Sequence, residues 1–150
     1  MKMNADSNIM QQAKRASSIN LEQSKVAAIL LNKEALTNLN RAQMREGLTS
    51  EGNPITPDYS RGYAWYKEKL PSYKAPPGTP DLFVTGAFQA GMSLALRNGV
   101  EFFSSDAKAG QLSGRYGRKI FGLMTENMLK ARQIVSKSYI MFVSRNLLKR

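Results

Sequence analysis

The chain has 150 residues, 42% apolar and 22% charged, which is ordinary globular usage and enough for one domain with a real core. Twenty-two Lys and Arg against eleven Asp and Glu give a net charge of +11, so its partners are expected among nucleic acid, anionic membranes and acidic proteins. With neither cysteine nor histidine there is no disulfide framework, no thiolate or imidazole metal site and no base for Ser-His or Cys-His acyl transfer; no enzyme activity, catalytic residue, cofactor or metal is expected.

The opening residues, MKMNADSNIMQQAKR, lack the apolar core of a secretory signal. The longest apolar runs, VAAILL at 26–31 and YIMFV at 139–143, are far below a membrane span, so a cytosolic, soluble product with no membrane partner is expected. From residue 4 to about 46, Gly and Pro are absent and Ala, Leu, Gln and Lys are common, which predicts helix. Ala28, Leu31, Ala35, Leu39 and Ala42 follow the three-and-four spacing of one buried face, widened by Val26, Ile29, Leu30 and Leu36. Asn20 or Ser18 is the candidate cap of a break that leaves residues 1–17 as an arm. Gly47 sits where a left-handed helix cap is favoured. Residues 1–46 therefore read as a helical arm and 47–150 as the main domain, in one structural unit.

All six prolines fall between residues 54 and 80. Within that stretch TPDYSRGYAWYKEKL predicts a short helix, with Thr56 at the cap, Pro57 in the first turn and Pro71 as the stop. Tyr59, Tyr63 and Tyr66 line one side beside Trp65. With Tyr73 they read as core and loop packing first, and as a protein interface second. SYKAPPGTP follows as a stiff, extended loop of polyproline character.

After residue 80 the period changes. Thr85-Gly86 predicts a turn, followed by a short amphipathic segment that turns Phe88 and Met92 inward. MSLALRNGVEFFSSD predicts a β-hairpin around Asn98-Gly99. Residues 107–117 read as a glycine-broken connector, and Gly114, Gly117 and Gly122 as turns that need positive φ or lack room for a Cβ. From Thr125 a helix without Gly or Pro predicts two stripes, Met128, Ala131, Val135 and Phe142 beside Leu129, Ile140, Val143 and Leu147. The whole is α+β: helices, with long ones at both ends, packed on a small antiparallel sheet.

Charge is uneven. After Asp106 ten cations face the single Glu126. Such a run is either a solvated helix face or a footprint for phosphates, and no motif for reading base sequence accompanies it. YIMFV is apolar all round rather than on one side. Unmet apolar surface on terminal helices predicts partner chains, with Leu31, Leu39, Tyr139, Ile140, Met141, Phe142 and Val143 as subunit-interface candidates.

LFVTGAFQAGMSLAL, then GVEFFSSD, then GRYGRKIFGLMTENMLKA resembles the tail-completion or neck (head–tail connector) proteins of tailed bacteriophages. The positions that carry the likeness are Leu82, Thr85, Gly86 and Phe88, then Phe121, Gly122, Leu123, Glu126 and Asn127; with TPDYSRGYAWYKEKL and PPGTPDL ahead of them, it spans residues 54–132. The resemblance implies a virion structural protein of the neck or tail region, assembled in the host cytoplasm. It implies a closed ring of sixfold or twelvefold symmetry, with the portal or an adjacent connector protein and tail proteins as partners. It also implies that the glycine-rich basic junction lies near the DNA channel, which makes Lys108, Arg115, Arg118 and Lys119 candidates to face phosphate without reading bases. The other reading is a basic, non-sequence-specific DNA-binding or genome-packaging accessory protein.

Overall fold

A computed structural model of the chain describes residues 9–11, 13–14 and 20–148. In chain order the elements are α1 (Leu21–Leu31), α2 (Lys33–Arg45), α3 (Arg61–Glu68), α4 (Ala87–Ala90), β1 (Met92–Leu96), β2 (Val100–Ser104), α5 (Ala109–Tyr116), a 3-10 turn (Arg118–Ile120) and α6 (Thr125–Leu148). This is an α+β fold with one two-stranded antiparallel sheet and a long C-terminal helix. The chain divides into two compact units, residues 33–131 and residues 1–32 together with 132–150. Of the arm over residues 1–17, residues 9–11 and 13–14 are described, and these are helical; the rest lies outside the described residues.

In the unit of residues 1–32 and 132–150, Asn20 caps α1, its side-chain oxygen accepting from Gln23 N at 3.0 Å. The small residues Ser24 and Ala28 are the buried positions of that helix. The helix closes at Asn32, whose amide donates to Ala28 O at 2.7 Å and to Ser138 Oγ of α6 at 2.8 Å. The helical stretch expected over residues 4–46 is therefore interrupted at Asn32.

The unit of residues 33–131 has its core in Met44, Ile55, Leu82, Phe88, Met92, Tyr116 and Ile120. The face expected for the first helix is corrected over α2. Ala35 and Ala42 are exposed and Leu39 half-buried, while Leu36, Thr37, Asn40, Gln43 and Met44 are buried. The reason lies in what the helix packs against, an irregular backbone that needs hydrogen-bond partners. Asn40 donates to Ile120 O at 3.2 Å and Gly122 O at 2.9 Å, and accepts from Gly122 N at 3.2 Å. Gln43 donates to Gly122 O at 3.1 Å and accepts from Met124 N at 2.9 Å. Two buried amides thus hold the loop that leads into α6.

Gly47 ends α2 as expected, at φ +76°. Gly47 N donates to Met44 O and Leu48 N to Gln43 O, the paired bonds of a Schellman cap. A Cβ there would meet Thr79 Cγ2 at 2.6 Å, so both conformation and space require glycine.

The next helix begins later than predicted. The Thr56–Pro57 bond is cis, Tyr59 N donates to Gly78 O at 2.9 Å, and α3 starts only at Arg61. Nor is the proline loop extended. Thr79 N closes a turn on Pro76 O, and the Tyr73 hydroxyl lies 2.5 Å from Pro76 O and 2.8 Å from Thr79 O.

The hairpin forms with Leu96 opposite Val100 and Met92 opposite Ser104, so Arg97, Asn98 and Gly99 make the loop. Met92 and Leu94 are buried, and Phe88 is turned inward by the short helix that Gly86 opens at φ +83°. Residues 107–117 hold an eight-residue helix rather than a broken connector. Gly114 lies within it, has no neighbour a Cβ would meet and has no positive φ. Gly117 and Gly122 do have positive φ, as expected.

Candidate functional site

The unit of residues 33–131 holds a buried ion pair and a cavity that share the neighbouring residues Tyr59 and Leu82. The Tyr59 ring, just ahead of α3, meets the Tyr63 ring of the helix edge-on, centres 4.8 Å apart, and Tyr63 continues to Tyr66 at 6.1 Å, so the expected row is present. It does not all serve the core, because Trp65 and Tyr66 are exposed and Lys69 Nζ sits 3.2 Å from the Trp65 ring centre.

Lys67, one turn along, points inward. Its Nζ lies 2.8 Å from Asp81 Oδ1 and 3.0 Å from Oδ2, donates also to Phe83 O, and neither charged side chain has any exposure. Charges removed from water persist only when their lone pairs and protons are satisfied. Here they are. The Tyr59 hydroxyl donates to Asp81 Oδ1 at 3.0 Å, and Phe83 N donates to the same oxygen at 3.2 Å. Leu82 N donates to the Tyr59 oxygen at 3.3 Å. Burial, then the charge of Asp81 and the hydrogen bond to it, push the Tyr59 phenol far above its ordinary range, so it stays a donor. Burial is also the main cause that raises Tyr63, Tyr73 and Tyr116.

Tyr59, which bonds Asp81, and Leu82, next to it in sequence, also line a cavity of about 530 Å³. It is lined by Tyr59, just ahead of α3, and Tyr63 on it, by Lys108, Leu112 and Arg115 from α5 and its approach, and by Leu82, Phe88 and Tyr116 of the core. Asp106 and Thr85 line it as well. The Asp106 carboxylate is held by Lys108 N at 2.8 Å. Arg115 lies 5.4 Å from the centre of the Tyr116 ring.

The four cations expected near phosphate are all exposed, and the structure separates them into two pairs. Lys108 and Arg115 line the cavity, whereas Arg118 and Lys119 sit on the 3-10 turn, where Lys119 Nζ lies 3.4 Å from Glu51.

Of the motif residues, Leu82 and Phe88 belong to the core and Phe121 packs against it, whereas Thr85 and Glu126 are exposed. Leu82 is buried at φ +49°, the Phe88 and Phe121 rings lie 6.0 Å apart, and Leu123 is buried. Thr85 Oγ1 accepts from Ala87 N at 3.4 Å beside Gly86. A Cβ on Gly122 would stand 3.1 Å from Ser50 Cβ. Asn127 donates to Gln43 Oε1 at 3.1 Å. Glu126 is exposed and bonded to Lys130 at 2.7 Å, which holds its carboxyl below the ordinary value. Between the two motif segments the contact is that of Phe88 with Phe121; Gly122 and Asn127 pack instead against Ser50 and Gln43.

Of the interface candidates, Ile140 is 62% and Leu31 60% exposed; Leu39, Tyr139, Met141, Phe142 and Val143 are half-buried. Leu21, Val26 and Leu30 of α1 are exposed as well. Among the described residues no acidic cluster is arranged to hold a metal, and no helix is long and apolar enough to cross a membrane.

Sequence reasoning passed over Lys67, Asp81, Asn40 and Gln43. A lone Lys on an amphipathic helix gives no signal that it is buried.

Comparison with family models, with curated proteins and with solved structures gave no match.

Proposed function

We propose that the protein is a non-enzymatic virion structural protein, a subunit of the ring that joins portal to tail in a tailed bacteriophage and surrounds the DNA channel. The observation that carries this reading is the uncovered apolar surface on both terminal helices. No residue of Tyr139–Val143 is fully buried, and Leu21, Val26, Leu30 and Leu31 stand exposed on α1. Surface of that kind is covered by partner chains. The motif resemblance over residues 54–132 supplies the kind of assembly, a closed ring built by head-to-tail contacts. The cations after Asp106 supply compatibility with a nearby polyanion. Light scattering on the purified chain, alone and with portal and tail proteins, tests the proposal. A multiple of the subunit mass is expected; a stable folded monomer at micromolar concentration, unchanged by those partners, overturns it.

The second reading, a basic DNA-binding accessory protein, is favoured by the pairing of those cations. Among the described ones only Lys119 and Lys130 form ion pairs with carboxylates, while Arg115, Arg118, Arg132, Lys137 and Arg145 form none. It requires affinity for duplex DNA that falls steeply as salt rises. A connector subunit in isolation binds duplex weakly, so a salt titration separates the two.

A further inference from the structure

Two hydrogen bonds set the parity of the hairpin. Arg97 N donates to Gly99 O at 3.1 Å beside the turn, and Ser105 N donates to Gly91 O at 3.0 Å at the open end. Antiparallel pairing alternates between them, so Ser93, Ala95, Glu101 and Phe103 direct their backbone groups toward the partner strand. The even-numbered residues of each strand direct theirs outward.

The two outer edges differ. Arg41 of α2 lies along β1, its guanidinium donating to Met92 O at 2.8 Å and to Gln89 O at 2.7 Å. Along β2, no described residue outside the hairpin bonds the N–H or C=O of Val100 or Phe102. Val100 and Phe103 are exposed, the register runs without a bulge, and the strand has no proline. Its one charge, Glu101, has Arg97 at 3.8 Å. An edge with open backbone groups, no proline and no bulge is a template for another strand.

We propose that β2 pairs antiparallel with β2 of a second copy, centred on Phe102, so that two hairpins form one four-stranded sheet. The register argues for this occupant. Centred on Phe102, it sets outward residues against outward residues: Phe102 against its own counterpart and Val100 against Ser104, each able to exchange both backbone bonds. A two-residue shift toward the turn sets Glu101 directly against its counterpart, a like-charge pair. A shift the other way leaves Val100 outside the ladder. In the centred register Glu101 faces Phe103 instead. The contact is isologous, needs only the hairpin, and stands or falls independently of the connector reading.

The chain has no cysteine, so a single-cysteine scan of the full-length protein reads the contact directly. Under mild oxidation Phe102→Cys should form the disulfide-linked dimer roughly tenfold faster than Val100→Cys or Ser104→Cys, because only residue 102 lies opposite itself at a spacing a disulfide can bridge. Val100→Pro removes an outward N–H and no hairpin bond, so with helix content unchanged it should slow that cross-link and lower the sedimentation mass of the otherwise wild-type chain. Equal rates at the three positions, fastest coupling at Glu101→Cys or Phe103→Cys, or a wild-type mass that Val100→Pro leaves unchanged overturns the proposal. A wild-type chain that stays monomeric and instead takes up an extended strand from another protein also overturns it.

Discussion

Lys67 and Asp81 stand fourteen residues apart in sequence and 2.8 Å apart in the core, with neither side chain reaching water. Their contact ties α3 to the segment that leads to the threonine-glycine turn, and so fixes Tyr63 of the helix relative to Leu82, both of which line the cavity. Removing one partner leaves a buried, uncompensated charge. Asp81→Ala and Lys67→Ala are each expected to cost about 3–5 kcal/mol in urea denaturation. Replacing both by apolar residues of similar volume, Lys67→Met with Asp81→Leu, should cost clearly less than either single change, and a double variant worse than both singles would contradict this account.

Alkaline pH acts on the same region. Tyr59, Tyr63, Tyr73 and Tyr116 all have phenols raised above the ordinary value of 10.0 by burial. A raised folded value means that the folded chain holds its phenolic protons more tightly than the unfolded one. The stabilisation is complete below the ordinary value and is lost as pH climbs from there toward the folded values. Stability followed from pH 8 to 12 should stay level and then fall from about 10, and the phenolate absorbance should rise together with unfolding. Tyr59→Phe should reduce that fall.

Two glycines give opposite expectations. Gly47→Ala forces a Cβ into a left-handed position 2.6 Å from Thr79, and should destabilise by about 1–3 kcal/mol. Gly114→Ala, inside α5 with nothing near its Cβ, should stabilise by about 0.5–1 kcal/mol. Thermal melts of the two variants beside wild type check both signs.

Asn40 makes three bonds to the backbone of the loop before α6, and all of them come from one amide. Asn40→Ala should cost about 1–3 kcal/mol and raise amide hydrogen exchange at Gly122, whose N–H loses its acceptor. Asn40→Asp keeps the acceptor but loses the donor, so it should leave Gly122 N–H protected while still destabilising the protein.

Much of the fold is legible in the sequence because it depends on neighbours along the chain. The cap at Asn20, the left-handed stop at Gly47, the hairpin around Asn98-Gly99 and the long helix from Thr125 each follow from side chains acting within a few residues of their own backbone. The basic excess after Asp106 is likewise a property of composition. What periodicity misjudged was decided across distance. Asn40 and Gln43 are buried because Gly122 and Met124, about eighty residues on, offer backbone groups that need them. Lys67 is buried because Asp81 and Phe83 arrive from a loop whose turn depends on Tyr73. The proline segment folds back for the same reason. A polar side chain lies inside or outside according to whether a partner waits there, and only the tertiary structure supplies the partner.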